Sequence, residues 1–598
     1  MRLLLLGKPQ DAGLLDRMGC EFFGPWAQPC ATPEGLQPPR FEPYPDAESV
    51  SRANLRAMAN AHAVLAQLAK VMPAATGLDL GERFWRLYLS DFVILITSIV
   101  EDILARKAAL PERHYILGLP EDDSRSCGST PRTWGEAYAR LFYDPVFRYT
   151  AFSLLLSPSY KEKRSVRYET FYPCRASSIF EELRCRLAFE DKSTLLRKAV
   201  SKVLRLPPRS RGLSAASPSL VWDRYNMEDF DFSRLQAQVL PRLAPDREAL
   251  GALKPDVEKR RTVTRALPAP YGELLVGALP LAGLEGLART YSQMQPLGAA
   301  YADVERVYTH GQGFSDEDPR RTLLALLGEQ GKKIYMVQHG GGSMSFRTTC
   351  QFFTERQIAD GYISWGDGYG APLPIPNANP GRSLPSIYLS LLQKQAAVAD
   401  KTRWKVLLVV FEESPFLKYY YSMVFPDMAH DYFSRQKRLC DRFLNSSGNA
   451  IKAHRMAYGW GQAAWIRSRY PQAQLLTSGR FVQYAMQSEL VIIDYNSSPL
   501  PEMLAMDRPF LVTWNRRWFR GSEIFERHLD DLKNVRIFHD DPESLMQTFD
   551  DIQASGGVSA WWGQAERRRA LQATARDFAQ ASPDFAESWT EEFSKRSA

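Results

Sequence analysis

At 598 residues the chain is too long for one hydrophobic core, and its 45% hydrophobic and 24% charged content is ordinary for a soluble globular protein. A formal charge of +7 with a pI near 8.9 is a mild surplus over this length. It suits anionic ligands or a membrane surface and falls far below a dedicated nucleic-acid binder.

The start, "MRLLLLGKPQD", has one arginine and a short apolar run ending at Gly7, which predicts a buried strand and not a signal peptide. The next two hundred residues read as mainly helical with proline-rich interruptions. "RFWRLYLSDFVILITSIVEDILARK" predicts one long helix. Its apolar stretch from Phe92 to Val100 is too short to span a bilayer, which takes about 20 residues. "TLLRKAVSKVLRLPPRSRGLSAASPS" predicts a basic helix that runs into a solvated loop. Its charges are a polar helix face on the plain reading and a patch for anionic lipid on the sharper one.

Beyond about residue 300 strands and helices alternate. "YADVERVYTH" ends as a strand, "DPRRTLLALLGEQG" is a helix closed by Gly331, and "KKIYMVQ" and "DGYISWGD" are strands. "NANPGRSLPS" reads as a linker. A second series follows in "WKVLLVVFEES", "AIKAH", "SELVIIDYNSS", "RPFLVTWN" and "NVRIFHD". Short apolar strands alternating with helices predict an α/β protein with parallel sheets covered on both faces. Ligands of such sheets bind beyond the carboxyl ends of the strands. The seven cysteines include no CxxC pair and are expected to be reduced thiols of a cytosolic protein.

Chemistry-bearing residues stand at those strand ends. Gln338 and His339 follow a strand, and Gly340, Gly341 and Gly342 then permit positive φ and expose backbone N–H groups to a phosphate or a sugar. The plain alternative is a tight turn beside a core histidine. His310 follows the preceding strand, so the two histidines are expected to face one cleft. Glu413 also follows a strand end. In the second series Lys452, His454 and Arg455 offer cations for a phosphate, against a plain reading as surface charges. Tyr458 and Trp460 offer rings for a base or a sugar, with core packing as the alternative.

"SELVIIDYNSSPLPEMLAM" is the most informative stretch of that half. A strand ends at Asp494; Asn496, Ser497 and Ser498 turn the chain; a helix begins at Pro499 or Pro501 with Glu502 in its first turn. Such residues cap a helix and also build an anion site at its N-terminus. Glu502 is placed for ribose hydroxyls. The chain lacks GxxxxGK[ST], a strand-following GxGxxG, HExxH and GxSxG, which disfavours P-loop kinases, dinucleotide oxidoreductases, zinc proteases and serine hydrolases of the usual kinds. "DED" at Asp316–Asp318 reads as charge at a helix start, so no metal ligand is assigned.

"QHGGG", "ERQIADGYISWG", "YGWGQ", "DYNSSPLPEMLA", "VRIFHDDPESL" and the downstream "WW" together resemble the transferases of surface-carbohydrate gene clusters, as do "FFGPWAQPC", "RFWRLYLSDFV" and "VWDRYN" nearer the start. The resemblance runs from Leu3 to about Trp562. More distantly, the second half is similar to capsule Kdo transferases, CDP-glycerol glycerophosphotransferases and GT-B sialyltransferases. Those enzymes hold a CMP or CDP donor with a His-Pro motif and a serine pair. Lys452-Ala453-His454-Arg455 and Ser497-Ser498 are the matching positions, with Arg455 in place of the proline. Ser343 and Met344 also depart from the tyrosine that usually follows the three glycines.

The resemblance implies a GT-B glycosyltransferase: two Rossmann-like domains facing across a cleft, with a large helical elaboration in the N-terminal half. The implied division is 1–385 for the N-terminal, acceptor-side domain, 386–403 for a linker, 404–560 for the nucleotide-sugar-binding domain and 561–598 for a helical tail. It implies transfer of a CMP-activated Kdo-like or nonulosonic acid to a glycan, lipid-linked or protein acceptor. The work is expected without a metal, in the cytoplasm or at the inner face of the membrane. A CDP-polyol phosphotransferase and a non-catalytic nucleotide-sugar-binding assembly protein remain open as alternatives.

Overall fold

A computed structural model describes residues 2–11, 14, 20–28, 33–39, 41–111, 115–120, 130–168, 174–175, 218–221, 232–240, 243, 246–310, 318–342, 347–370, 375–379, 381–399, 402–417 and 426–595. Strands β1 (Arg2–Leu5), β2 (Cys20–Phe22), β3 (Tyr115–Pro120) and β4 (Lys163–Val166) form a first sheet. The two-residue strand β5 (Cys174–Arg175) stands apart from it. Strands β6 (Ser219–Val221), β7 (Gln238–Val239), β8 (Arg306–Thr309), β9 (Lys333–Val337), β10 (Gly361–Ser364) and β11 (Gly381–Ser383) form a middle sheet. Strands β12 (Trp404–Val409) and β13 (Asn449–Lys452) open the last sheet, and β14 (Met456–Ala457) pairs antiparallel with β5. That sheet is completed by β15 (Gln474–Leu476), β16 (Ser488–Ile493), β17 (Phe510–Thr513) and β18 (Phe538–His539).

All three large sheets are parallel throughout. The last has the order β15-β13-β12-β16-β17-β18, which is the doubly wound Rossmann order. The middle sheet runs β11-β10-β9-β8-β6-β7 and the first β2-β1-β3-β4, both with one reversal beside their opening strand. The α/β class with Rossmann-like units is therefore as expected. The described part of the first two hundred residues is mainly helical, as expected, and it also contributes a third parallel sheet that was not expected.

Two long helices cover that region: α1 (Ala47–Thr76) and α2 (Glu82–Ala109). Asp46 caps α1 by accepting from the Ser49 backbone N–H at 2.8 Å, and Gly77 closes it in the left-handed region at φ 74°. Helix α2 is buried on every face from Leu87 to Ile103, which is why its sequence shows an apolar run and no amphipathic stripe. "NANPGRSLPS" contains β11, and α3 (Ile387–Ala397) lies within the stretch 386–403. The basic segment 194–217 and Asp316 and Glu317 lie outside the described residues.

Helix α4 (Ala429–Phe443) follows β12, α5 (Pro499–Met506) follows β16, and α6 (Phe585–Ser594) is the last element. Helix α6 returns to the middle sheet. The Tyr308 hydroxyl donates to Glu592 at 2.7 Å, and Trp589 Nε1 donates to the Pro385 carbonyl at 2.7 Å. Among the described residues no helix is long and apolar enough to cross a membrane.

Candidate active site

Strand β9 delivers Gln338 into a buried position where its side chain is fully used. Its Oε1 accepts from the Trp365 backbone N–H at 2.9 Å and its Nε2 donates to the Gly340 carbonyl at 2.9 Å. The exits of β9 and β10 are thereby tied together, and His339 is fixed between them. The His339 ring lies 5.4 Å from that of His310, which follows β8. The two histidines do share one site.

A third group was not foreseen. Glu355 Oε1 stands 3.7 Å from His339 Nδ1. Glu355 belongs to a π-helical segment, Phe353–Ile358, a widened turn that is rare and recurs at functional sites. Its side chain is 1% exposed, and neither carboxyl oxygen accepts a hydrogen bond from a described residue. Burial pushes the carboxyl up to about 8, with Arg356 opposing the shift and Asp91 adding to it. In the sequence Glu355 is one glutamate in the polar stretch "TERQ", with no periodicity to mark it as buried.

Beside the histidines a cavity opens at the carboxyl edge of the middle sheet. Val221, Phe232, Trp365, Ile387, Trp589 and Phe593 give it apolar walls. His310, His339, Gln338 and Tyr388 bring the polar atoms.

In the last sheet the strand order reverses between β12 and β16, so the crevice rule points to residues 410–414 and 494–498. Phe411 and Tyr495 close on each other there, with ring centroids 4.9 Å apart, and Phe411 packs on His454 at 5.0 Å. His454 stacks on Tyr458 at 5.5 Å. Glu412, also unforeseen, accepts from the Tyr458 and Trp460 backbone N–H groups at 2.8 and 3.2 Å and fixes this loop. Burial raises its carboxyl to about 7. The expected Glu413 is buried, and it accepts from the Ser414 N–H on its carboxylate and from Trp460 Nε1 on its backbone carbonyl. Lys452 is buried with its ammonium on the Ala453 carbonyl at 2.7 Å, while Arg455 is exposed.

After β16, Asp494 accepts from the Tyr432 hydroxyl at 2.9 Å and Gln436 Nε2 at 3.1 Å, and burial raises it to about 7. Asn496 is 1% exposed, and both ends of its amide lack a hydrogen-bond partner among the described residues. Helix α5 begins at Pro499 as expected, with Glu502 in its first turn. Neither serine caps it in the expected way. Ser498 makes no side-chain cap and accepts instead from the Gly341 N–H at 3.1 Å.

That bond joins the two sets of residues across the boundary between the units. The glycine loop of the middle sheet lies against the N-terminus of α5. Gly340, Gly341 and Gly342 are not among the positive-φ glycines, so the expectation about φ is corrected. Gly340 and Gly341 serve close backbone approach to Ser497, Ser498 and Pro501. A second link runs through Tyr388, whose hydroxyl donates to Glu502 at 2.6 Å and accepts from Arg480 at 3.0 Å. Glu502 is buried and pushed up to about 7 by desolvation. Among the described residues no group of three His, Cys, Asp or Glu is spaced to hold a metal.

A family model described as LIC12162 family transferase matches residues 20–593, almost the whole chain. No curated protein sequence matches. Among solved structures the chain is similar to "Spinosyn Rhamnosyltransferase SpnG complexed with spinosyn aglycone" at 12% identity and a TM-score of 0.26, over 60% of this chain and 97% of that one.

Proposed function

This chain belongs to the LIC12162 family of transferases, and we propose that the group it transfers is a sugar, carried from a nucleotide donor to an acceptor hydroxyl. The observation that carries the proposal is the meeting of two strand-edge sets at one boundary: His339 and His310 from the middle sheet, and Ser497, Ser498 and Glu502 at the start of α5. The donor belongs on the last sheet, where the helix start and the buried Asn496 amide suit phosphate and nucleotide. Lys452, His454 and Tyr458 line the neighbouring exit of that sheet. The acceptor belongs in the apolar cavity beside His339, which acts on the proton of the acceptor or of the leaving phosphate.

The finer reading is a CMP donor with a Kdo-like or nonulosonic acid, passed to a glycan, lipid-linked or protein acceptor in the cytoplasm. No metal is assigned a role, so turnover is expected to persist in excess EDTA. Thermal-shift titration with CMP, CDP, UDP, GDP and CDP-glycerol tests the donor site. At least one nucleotide raises the Tm of the wild type. In a Glu502→Ala, Ser498→Ala double variant that affinity falls by about 1–3 kcal/mol, the cost of hydrogen-bond partners left unmade. Equal binding by both proteins puts the nucleotide elsewhere. A response to CDP-glycerol alone favours phosphopolyol transfer.

A further inference from the structure

Among the described residues five buried carboxyls surround the two strand-edge sets, and four of them are satisfied, Glu413 by the Ser414 N–H. Glu412 holds two backbone N–H groups, Asp494 holds Tyr432 and Gln436, and Glu502 holds Tyr388. Glu355 differs. It is buried as deeply, yet it accepts no hydrogen bond from a described residue, and its nearest ionisable partner is His339 Nδ1 at 3.7 Å. Burying an acid without a partner is costly, so a purely structural position has no use for one.

The charges around it do not supply another partner. Arg356, next in the chain, donates its Nε to the Asn379 carbonyl at 2.9 Å and lies 4.9 Å over the Tyr362 ring. Asp91, from α2, adds a like charge. His62, from α1, packs on Phe353 at 4.8 Å, and the His310 ring lies 5.4 Å from that of His339. Glu355 is carried on the π-helical turn Phe353–Ile358, with Oε1 3.7 Å from the His339 ring nitrogen.

We propose that Glu355 is the positioning residue of His339: the two form one pair that shares a single proton between Oε1 and Nδ1. The pairing fixes which imidazole nitrogen faces the cavity and stabilises the ring when it becomes cationic. A distance of 3.7 Å is longer than a hydrogen bond, as catalytic pairs commonly are before substrate binds. Burial, not the imidazole, is what raises the Glu355 carboxyl, and it brings the group into the range where a histidine titrates, so that groups this close release their protons in two steps that belong to both. The inference rests on the glycosyl-transfer reading for its purpose, though not for its test.

The test is histidine ring NMR on protein with ¹³C-labelled histidine, titrated with pH and without any substrate. The chain has eight histidines, and His339 is identified by the signal lost in His339→Gln. In the wild type the His339 signal follows two pH steps. In Glu355→Gln it follows one, and in Glu355→Asp, which keeps a carboxylate, two steps remain. A single step in the wild type, or two steps that persist in Glu355→Gln, overturns the pairing. If Glu355→Gln does not fold, the wild-type and Glu355→Asp traces still decide. Failure here leaves the nucleotide panel untouched, so the two readings fail separately.

Discussion

A methyl group on Gly341 has nowhere to go. Its Cβ would stand 2.8 Å from Pro501 Cγ and 2.9 Å from the Ser497 carbonyl oxygen, and a backbone oxygen cannot swing aside. Gly342, one residue on, has nothing within 4 Å among the described residues. Gly341→Ala is therefore expected to cost about 1–3 kcal/mol of overpacking, read as a lower Tm, while Gly342→Ala leaves Tm unchanged. Equal melting of the two variants would show that the loop does not press on α5. The sequence marks this loop plainly, since three glycines follow a histidine at a strand end. It does not tell why the glycines are there, because close approach to α5 involves residues more than 150 positions away. Glu355 is harder still to find. Its burial depends on a π-helical turn that leaves no spacing signature, so only coordinates reveal it.

Helix α2 shows what an element can fix at a distance. Arg106, near its end, donates from Nη1 and Nη2 to the two carboxylate oxygens of Asp427 at 3.0 and 2.6 Å. Its Nε donates to Asp102 at 3.1 Å, and Tyr44 also donates to Asp102, at 3.0 Å. All three charged groups are buried, and Asp427 sits in the turn that leads into α4. This joins the N-terminal helical layer to the last sheet's unit. Asp427→Ala strands the Arg106 charge in the core, and a loss of about 3–5 kcal/mol is expected, measured as a large fall in Tm. A change under about 1 kcal/mol would mean that Arg106 finds water or Asp102 alone sufficient. The long helix itself was legible from its apolar run. The first sheet was not, because β2 has three residues and β4 reads Lys-Arg-Ser-Val with its first three residues exposed. Strands this short, separated by helices of 30 and 28 residues, carry no alternation to detect.

At the scale of the whole molecule, the strand–helix alternation after residue 300 was enough to predict parallel α/β units and to direct attention to their carboxyl edges. It did not reveal that the glycine loop and the start of α5 touch, which brings the two lists of residues together. The account's central claim is that His339 serves transfer from a donor held by the other unit. The most direct measurement compares wild type with His339→Ala for nucleotide released from CMP-, UDP- and GDP-sugars, alongside nucleotide affinity and Tm on the same preparations. The account predicts that a nucleotide sugar is consumed by the wild type, and that His339→Ala keeps its affinity and Tm but loses turnover by about 10²–10⁴-fold. Near-normal turnover in a stable His339→Ala protein would contradict it.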